Sequence, residues 1–454
     1  MWEILDRINS FIWGVPALFL ILGTGIYLTM RTKFAQIRLF PRAVRRFGSE
    51  IFCGKKNGND VSPMRALCTA LAATVGTGNL AGVAGAIAIG GPGSIFWMWV
   101  SALLGMVTKF AEAVLSVRYR KKGSKGEVLS GPMYMIQGGM GPRWRWLAIL
   151  YAFFGAVAAF GVGNATQVNA VVGGINGVIR AFGGTPGIKG NMVIGLSLTI
   201  LIGAILLGGA KRIGQVAEKL VPVGAIVYII LTLYVLLIRY RAIPVAFYSI
   251  FEGAFSPKAL TGGMIGSAVQ ALAVGTRRGV FTNEAGMGTA AIAHGAADVG
   301  HPIEQGFMGI IEVFLDTIVI CTLTALVILC SGVVIPYGQD TGIMLTAQAF
   351  GDVCGNWVNV LLAAILACFA IATILGWGLY GMRCVQYLFG EKAWRIFAWL
   401  QTATIFLGSV LNTATVWVLA EIVNGLMALP NLIALLYLSP ELFRLLQDYK
   451  AKIS

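Results

Sequence analysis

The residues best suited to chemistry lie inside apolar runs. The segment Ser62 to Trp99 is apolar and long enough to cross a bilayer, yet its middle reads Thr74-Val75-Gly76-Thr77-Gly78-Asn79. Glycine costs about 1 kcal/mol in a helix interior relative to alanine, so the pattern predicts a helix that opens there. Opening frees backbone N–H and C=O groups at membrane depth, where only protein or a polar cavity can satisfy them. The start of a half-helix attracts a carboxylate, and the carbonyls at a half-helix end attract a cation. The amides around Gly76, Thr77 and Gly78 are therefore expected to hold a carboxylate, with Asn79 supplying a side-chain amide just beyond. In a second reading Asn79 ties down the unwound backbone. A close crossing of small residues would need the glycines, but not Thr74, Thr77 and Asn79 beside them.

A second interrupted segment, Gly262 to Ala297, is broken by Gly275-Thr276-Arg277-Arg278-Gly279 and by Asn283-Glu284-Ala285-Gly286-Met287-Gly288. It is expected to bring Thr276, Gly279 and Val280 to the same pocket. Arg277 and Arg278 cost about 2.5–3.5 kcal/mol each in a membrane, so they face a water-filled vestibule or pair with Glu284. Gln167, beside Asn164 and Asn169, needs a partner for its amide, either a substrate or another helix. Trp377 follows Thr373 by one turn on the same face; it caps the apolar side of the pocket or merely packs. Lys109 and Glu112 are one turn apart and are expected to pair. Glu312 and Asp316 are also one turn apart. Intramembrane acids mark function, so Asp316 is a second candidate for a cation or proton, against a plain polar contact.

The elements that must position these residues follow from composition. The chain has 454 residues, 57% hydrophobic and 12% charged, with a mean hydropathy of +0.80. Soluble domains carry about 25% charged residues, so this is an all-α polytopic membrane protein. Its net charge of +15 sits in short loops between apolar spans, which fits the positive-inside rule rather than nucleic-acid binding. The seven cysteines form no CxxC pattern and the two histidines are too few for a metal site. The first apolar run leads into a basic loop, so it reads as a span rather than a cleaved signal.

About eleven spans are expected, at 11–30, 62–90, 95–117, 144–172, 192–207, 216–238, 262–297, 303–330, 357–388, 394–411 and 416–438. Residues 1–10 read as a short polar segment, 131–141 as re-entrant or interfacial, and 332–356 as an outside loop with short helices. The basic loops, densest from Arg31 to Lys56 and from Arg118 to Lys125, place the N-terminus outside and the C-terminus in the cytoplasm of a plasma (inner) membrane. Residues 62–238 and 263–438 each hold five spans and each opens with an interrupted helix. An odd number of spans inverts one repeat against the other, and paired interrupted helices point to the substrate site of a secondary transporter. Residues 1–61 are an extra helix and basic loop, and 439–454 a cytoplasmic tail. An intramembrane enzyme would need a nucleophile with a base, and no Gly-x-Ser-x-Gly lies near His294 or His301. A channel is the other rival; an amide-rich pocket with a tryptophan lid suits occlusion better.

The run Gly90-Gly91-Pro92-Gly93-Ser94-Ile95-Phe96-Trp97-Met98-Trp99-Val100 resembles the signature of the alanine or glycine:cation symporters, the sodium:alanine symporter family. Thr74 to Val83, Arg278 to Gly286 and Leu375-Gly376-Trp377 resemble it too, so the likeness covers nearly the whole chain. Ala372 and Met382 depart from it, where a hydroxyl residue and an acid are usual. The resemblance implies a leucine-transporter type of fold with one additional N-terminal helix. It implies uptake of alanine or glycine, driven by Na+ or less often H+, with no obligate protein partner. By resemblance the cation ligands are the carbonyls of Ala72, Val75 and Phe369 and the hydroxyl of Thr373, and Gln167 reaches the substrate.

Overall fold

The computed structural model describes residues 2–13, 15–53, 61–124, 126–255, 268–339, 342–411 and 414–452. Lys55, Lys56 and Lys125 of the basic loops, and the expected start of the second repeat at 262–267, lie outside the described residues. The chain opens with two helices, α1 (Trp2–Ile12) and α2 (Val15–Arg31). The first ten residues are thus largely helical, and Asn9 and Trp13 anchor this start by donating to Glu421. The basic loop is also helical, as α3 (Ala35–Arg38) and α4 (Phe40–Cys53).

Helix α5 (Pro63–Thr74) begins where the Ser62 hydroxyl accepts from Arg65 N–H and Pro63 occupies the first turn, both favoured at a helix start. It ends at Val75, whose ψ of 95° leaves helical geometry. Helical winding resumes as a π turn over Gly78–Gly82 and α6 (Val83–Gly90), and the two halves are bent by 52°. Gly91 turns the chain with a φ of +74° into α7 (Gly93–Arg118). The signature tryptophans act as anchors: Trp97 Nε1 donates to Ala254 O and Trp99 Nε1 to Thr322 Oγ1. A two-stranded hairpin pairs Lys121–Lys122 with Val128–Leu129. Helix α8 (Pro132–Met135), continued by a π turn, is buried and packs on α7.

Then come α9 (Arg145–Ala158), α10 (Thr166–Ala181), α11 (Ile188–Leu206), α12 (Gly209–Ile238) and α13 (Ile243–Phe255). Helix α14 (Ala268–Asn283) runs unbroken through Gly275–Gly279. The second interruption is confined to Glu284–Gly288, before α15 (Thr289–His294). Glu284, Gly286 and Gly288 have φ values of 54°, 92° and 76°, backbone that side chains other than glycine rarely adopt. The chain continues through α16 (Pro302–Val313), a π turn over Phe314–Cys321, α17 (Thr322–Ser331) and α18 (Ile343–Cys354). It closes with α19 (Val358–Phe389), α20 (Ala393–Val410) and α21 (Ala414–Ala451). The expected tail at 439–454 is not a separate segment, because α21 runs on through it to Ala451.

Among the described residues, seven helical stretches are long and apolar enough to cross a membrane, and eight when the bent α5–α6 pair counts as one span. Helices α12, α16 and α19 pack on α5, the half-helix that leads into the first break. Gly376 on α19 allows this, since a Cβ there would stand 2.8 Å from Ala73 N on α5.

Candidate functional site

The first break is a local exchange of hydrogen bonds. In an unbroken helix Gly76 N–H would bond Ala72 O, and Asn79 N–H would bond Val75 O. Here Gly76 N–H donates to Asn79 Oδ1 at 2.8 Å, and Asn79 N–H donates to Gly76 O at 3.3 Å. The carbonyls of Ala72 and Val75 are left without those donors. Beside Gly76 is α19, where the Thr373 hydroxyl donates to Phe369 O at 3.0 Å. A Cβ on Gly76 would lie 2.5 Å from Thr373 Oγ1 and 3.8 Å from Gln167 Oε1. Gln167 accepts from Thr77 Oγ1 and donates to Val162 O, both at 3.0 Å. Gly76, Thr77, Gln167, Phe369 and Thr373 therefore converge at the break from which the two carbonyls have lost their donors. Carbonyl and hydroxyl oxygens are what a hard cation takes.

The other end of the Asn79 amide points away from this cluster. Its Nδ2 donates to Asp316 Oδ1 at 2.7 Å, and Asp316 Oδ2 accepts from Thr317 Oγ1 at 2.8 Å. Asn283 Nδ2 donates to Thr317 Oγ1 at 3.2 Å, which carries the polar chain to the second break. There Glu112 Oε1 accepts from Gly286 N–H at 2.9 Å, Gly288 N–H at 3.1 Å and Asn431 Nδ2 at 2.7 Å. Glu284 accepts from Thr289 Oγ1 at 2.5 Å and Trp377 Nε1 at 3.0 Å. The amides of the second break are thus taken by a carboxylate of the protein itself.

A cavity of about 1010 Å³ reaches the first break. Its lining includes Thr77, Gly78, Asn169, Arg278, Phe281 and Glu421. It opens past exposed Arg180, Gln348 and Asn356, beside a loop whose Gly338 N–H reaches Ala88 O near the end of α6. The basic cluster Arg118–Lys122 lies at the far end of α7. Toward that end Trp377 donates to Glu284, Ser116 donates to Ala291 O, and Arg118 pairs with Glu441 at 2.8 Å.

Some expected placements hold and others are corrected. Arg278 lines the cavity, one of the two expected readings, while Arg277 pairs with Glu421 of α21 rather than Glu284. Lys109 pairs with Glu312 at 3.3 Å, not with Glu112. Glu312 also holds His294 Nε2 at 2.7 Å, and His294 Nδ1 meets Gln305 at 2.7 Å, with His294 fully buried. Because α14 is continuous, Gly279 turns toward Met98 and Ser101 of α7, and the cavity wall on this helix is Arg278 and Phe281. Thr276 and Val280 are buried and are not among the lining residues. Asn79 ties the unwound backbone through Gly76 N–H, and Gln167 accepts from Thr77 of the first break. Trp377 is buried against Gly163 with its indole on Glu284, and does not line the cavity. Helical spacing could have found Phe281, three residues after Arg278 on one face. The clamping pair Glu112 and Asn431 had no local signal.

Comparison with known proteins places this geometry. The profile of the sodium:alanine symporter family matches residues 1–454. The chain is 43% identical over 441 residues to the sodium/alanine symporter AgcS of Methanococcus maripaludis, covering 96% of this chain and 94% of that protein. It is 36% identical over 457 residues to the probable sodium/glutamine symporter GlnT of Bacillus subtilis, covering 99% and 91%. Among solved structures, MhsT in complex with L-phenylalanine aligns with a TM-score of 0.60 at 13% identity, covering 83% of this chain and 89% of that one. That likeness shows the fold, a nearly all-helical one of the leucine-transporter type.

Proposed function

Since the chain belongs to the sodium:alanine symporter family, and is therefore a membrane transporter rather than an enzyme, we propose that it couples uptake of alanine or glycine to Na+ by alternating access. The observation that supports this reading is the exchange of bonds at the first break, which takes the Gly76 and Asn79 N–H groups from the Ala72 and Val75 carbonyls, with Thr373 of α19 close against Gly76. Na+ takes the Ala72, Val75 and Phe369 carbonyls and the Thr373 hydroxyl, and ties α5 to α19. The substrate carboxylate sits on the Thr77 and Gly78 amides at the start of the second half-helix, where the dipole favours an anion. Gly76 N–H is left out, being held by Asn79. The Thr77–Gln167 pair borders the ammonium side, and Phe281 limits side-chain size.

With the basic loops in the cytoplasm, the cavity faces outward and the basic end of α7 inward. The amino terminus is then outside and the carboxyl terminus inside. Coupling is a difference in Na+ affinity between the two facing states. The test is radiolabelled alanine uptake into proteoliposomes under imposed Na+ or proton gradients, competed by glycine, serine, leucine and D-alanine. We expect concentrative uptake with Na+ and competition by glycine. Uptake indifferent to both gradients refutes coupling, and strong competition by leucine refutes the size limit.

A further inference from the structure

Asp316 is a fully buried acid that transport of Na+ and alanine, as described, leaves without a task. Among the described residues its carboxylate has neutral partners, Asn79 Nδ2 and Thr317 Oγ1, and no ion pair. Its own element presents Thr317, Cys321 and, one turn earlier, Glu312. Helix α14 presents Thr282 and Asn283, and the first break presents Asn79. Lys109 of α7 acts on it from a distance, with its ammonium already on Glu312 at 3.3 Å. A carboxylate buried without a cation is costly, and it sheds that cost by taking a proton or gaining positive charge nearby.

The position of Asp316 gives that exchange a consequence. One amide links it to the first break: Asn79 Oδ1 holds Gly76 N–H off Ala72, while Asn79 Nδ2 is held by Asp316. We propose that Asp316 is a proton-binding site, and that Na+ and amino-acid binding at the first break expels its proton. An ionised carboxylate accepts a stronger bond from Asn79 than a carboxylic acid does. Ionised Asp316 therefore steadies Asn79 and keeps the Ala72 carbonyl free for the cation. Protonated Asp316 loosens Asn79 and lets Gly76 N–H return to Ala72 O. In the exchange the carboxylic O–H bond breaks, its electron pair stays on oxygen, and the proton passes to water. Linkage is reciprocal, so protons weaken Na+ and alanine binding by the same factor.

This inference rests on the transport reading and is tested on the whole purified chain. In weakly buffered detergent solution, adding Na+ and alanine releases a proton. The Na+ half-saturation for radiolabelled alanine binding rises about tenfold from about pH 8 to about pH 5.5, the ratio of a charge-assisted to a neutral hydrogen bond. Asp316→Asn abolishes the release and flattens the pH dependence. Thr317→Val, which removes one donor to the carboxylate, keeps the release and moves the midpoint to higher pH; it decides the matter if Asp316→Asn does not fold. The inference is overturned by wild-type binding that ignores pH without proton release, by pH dependence that survives in Asp316→Asn, or by an unmoved midpoint in Thr317→Val. Absence of Na+-dependent alanine binding at every pH overturns the transport reading instead.

Discussion

Replacing Gly76 by alanine tests the proposed cation site directly. The new Cβ would stand 2.5 Å from Thr373 Oγ1 and 3.7 Å from Thr373 Cβ. Thr373 is buried and its hydroxyl is engaged by Phe369 O, so relief requires rotating the hydroxyl away or separating α5 from α19. Either movement displaces a proposed Na+ oxygen. Inserting a methylene into a packed site costs about 1–3 kcal/mol. If that strain falls on the cation-bound form, the Na+ half-saturation rises about 5- to 150-fold. The assay is initial-rate alanine uptake in proteoliposomes over a Na+ series. Gly82→Ala is the control, because its Cβ meets nothing nearer than Thr282 Cγ2 at 3.9 Å and its effect should stay within about 0.5 kcal/mol. Adding Gly76→Ala to Thr373→Ala should cost little more than Thr373→Ala alone, since the clash and the ligand disappear together. A Gly76→Ala protein with wild-type Na+ dependence would refute the reasoning.

Three further outcomes follow from the buried charges and one helix cap. Among the described residues, Lys109→Met leaves Glu312 buried with His294 as its one remaining ion-pair partner and should lower stability by about 3–5 kcal/mol; Lys109→Met with Glu312→Leu should unfold at a higher temperature than Lys109→Met alone. Glu112→Leu strands the Gly286 and Gly288 amides and Asn431, at about 1–3 kcal/mol for each unsatisfied group, seen as a lower thermal midpoint and slower uptake. His301 caps α16 by accepting from Ile303 N–H, and burial, aided by Lys452, holds its imidazole below the ordinary histidine value. The folded chain then binds fewer protons than the unfolded one, so this contribution is present above about pH 6.5 and is lost as pH falls. His301→Asn, which caps without titrating, should flatten that part of a stability-against-pH curve.

The first break was legible because its cause is local. Glycine, hydroxyl and amide residues stand in one short run, and Asn79 reaches back only three residues to take Gly76 N–H. Of the two interruptions expected in the second segment, the one at Asn283–Gly288 is present; the one at Gly275–Gly279, expected because Arg277 and Arg278 look like residues no membrane helix would keep, is not. Arg277 is neutralised by Glu421, far along the chain on α21, and no local pattern announces that partner. The same reason hid the Lys109–Glu312 pair: Glu112 is the nearer acid in sequence, but it is turned to the second break. The convergence of Thr77, Gln167 and Thr373 was anticipated, while Phe281 was missed because α14 was expected to be interrupted at Gly279.

Helix α21 spans 38 residues without a break, about 57 Å at helical rise. Near one end Glu421 grips Arg277 at the cavity wall; midway Asn431 clasps Glu112 and Gly286 O; near the other end Glu441 meets Arg118. One helix, with Pro430 and Pro440 inside it, thus touches the cavity wall, the second break and the basic end of the molecule. Under the proposed alternating access, a shift at any of these three contacts would be carried along it to the other two.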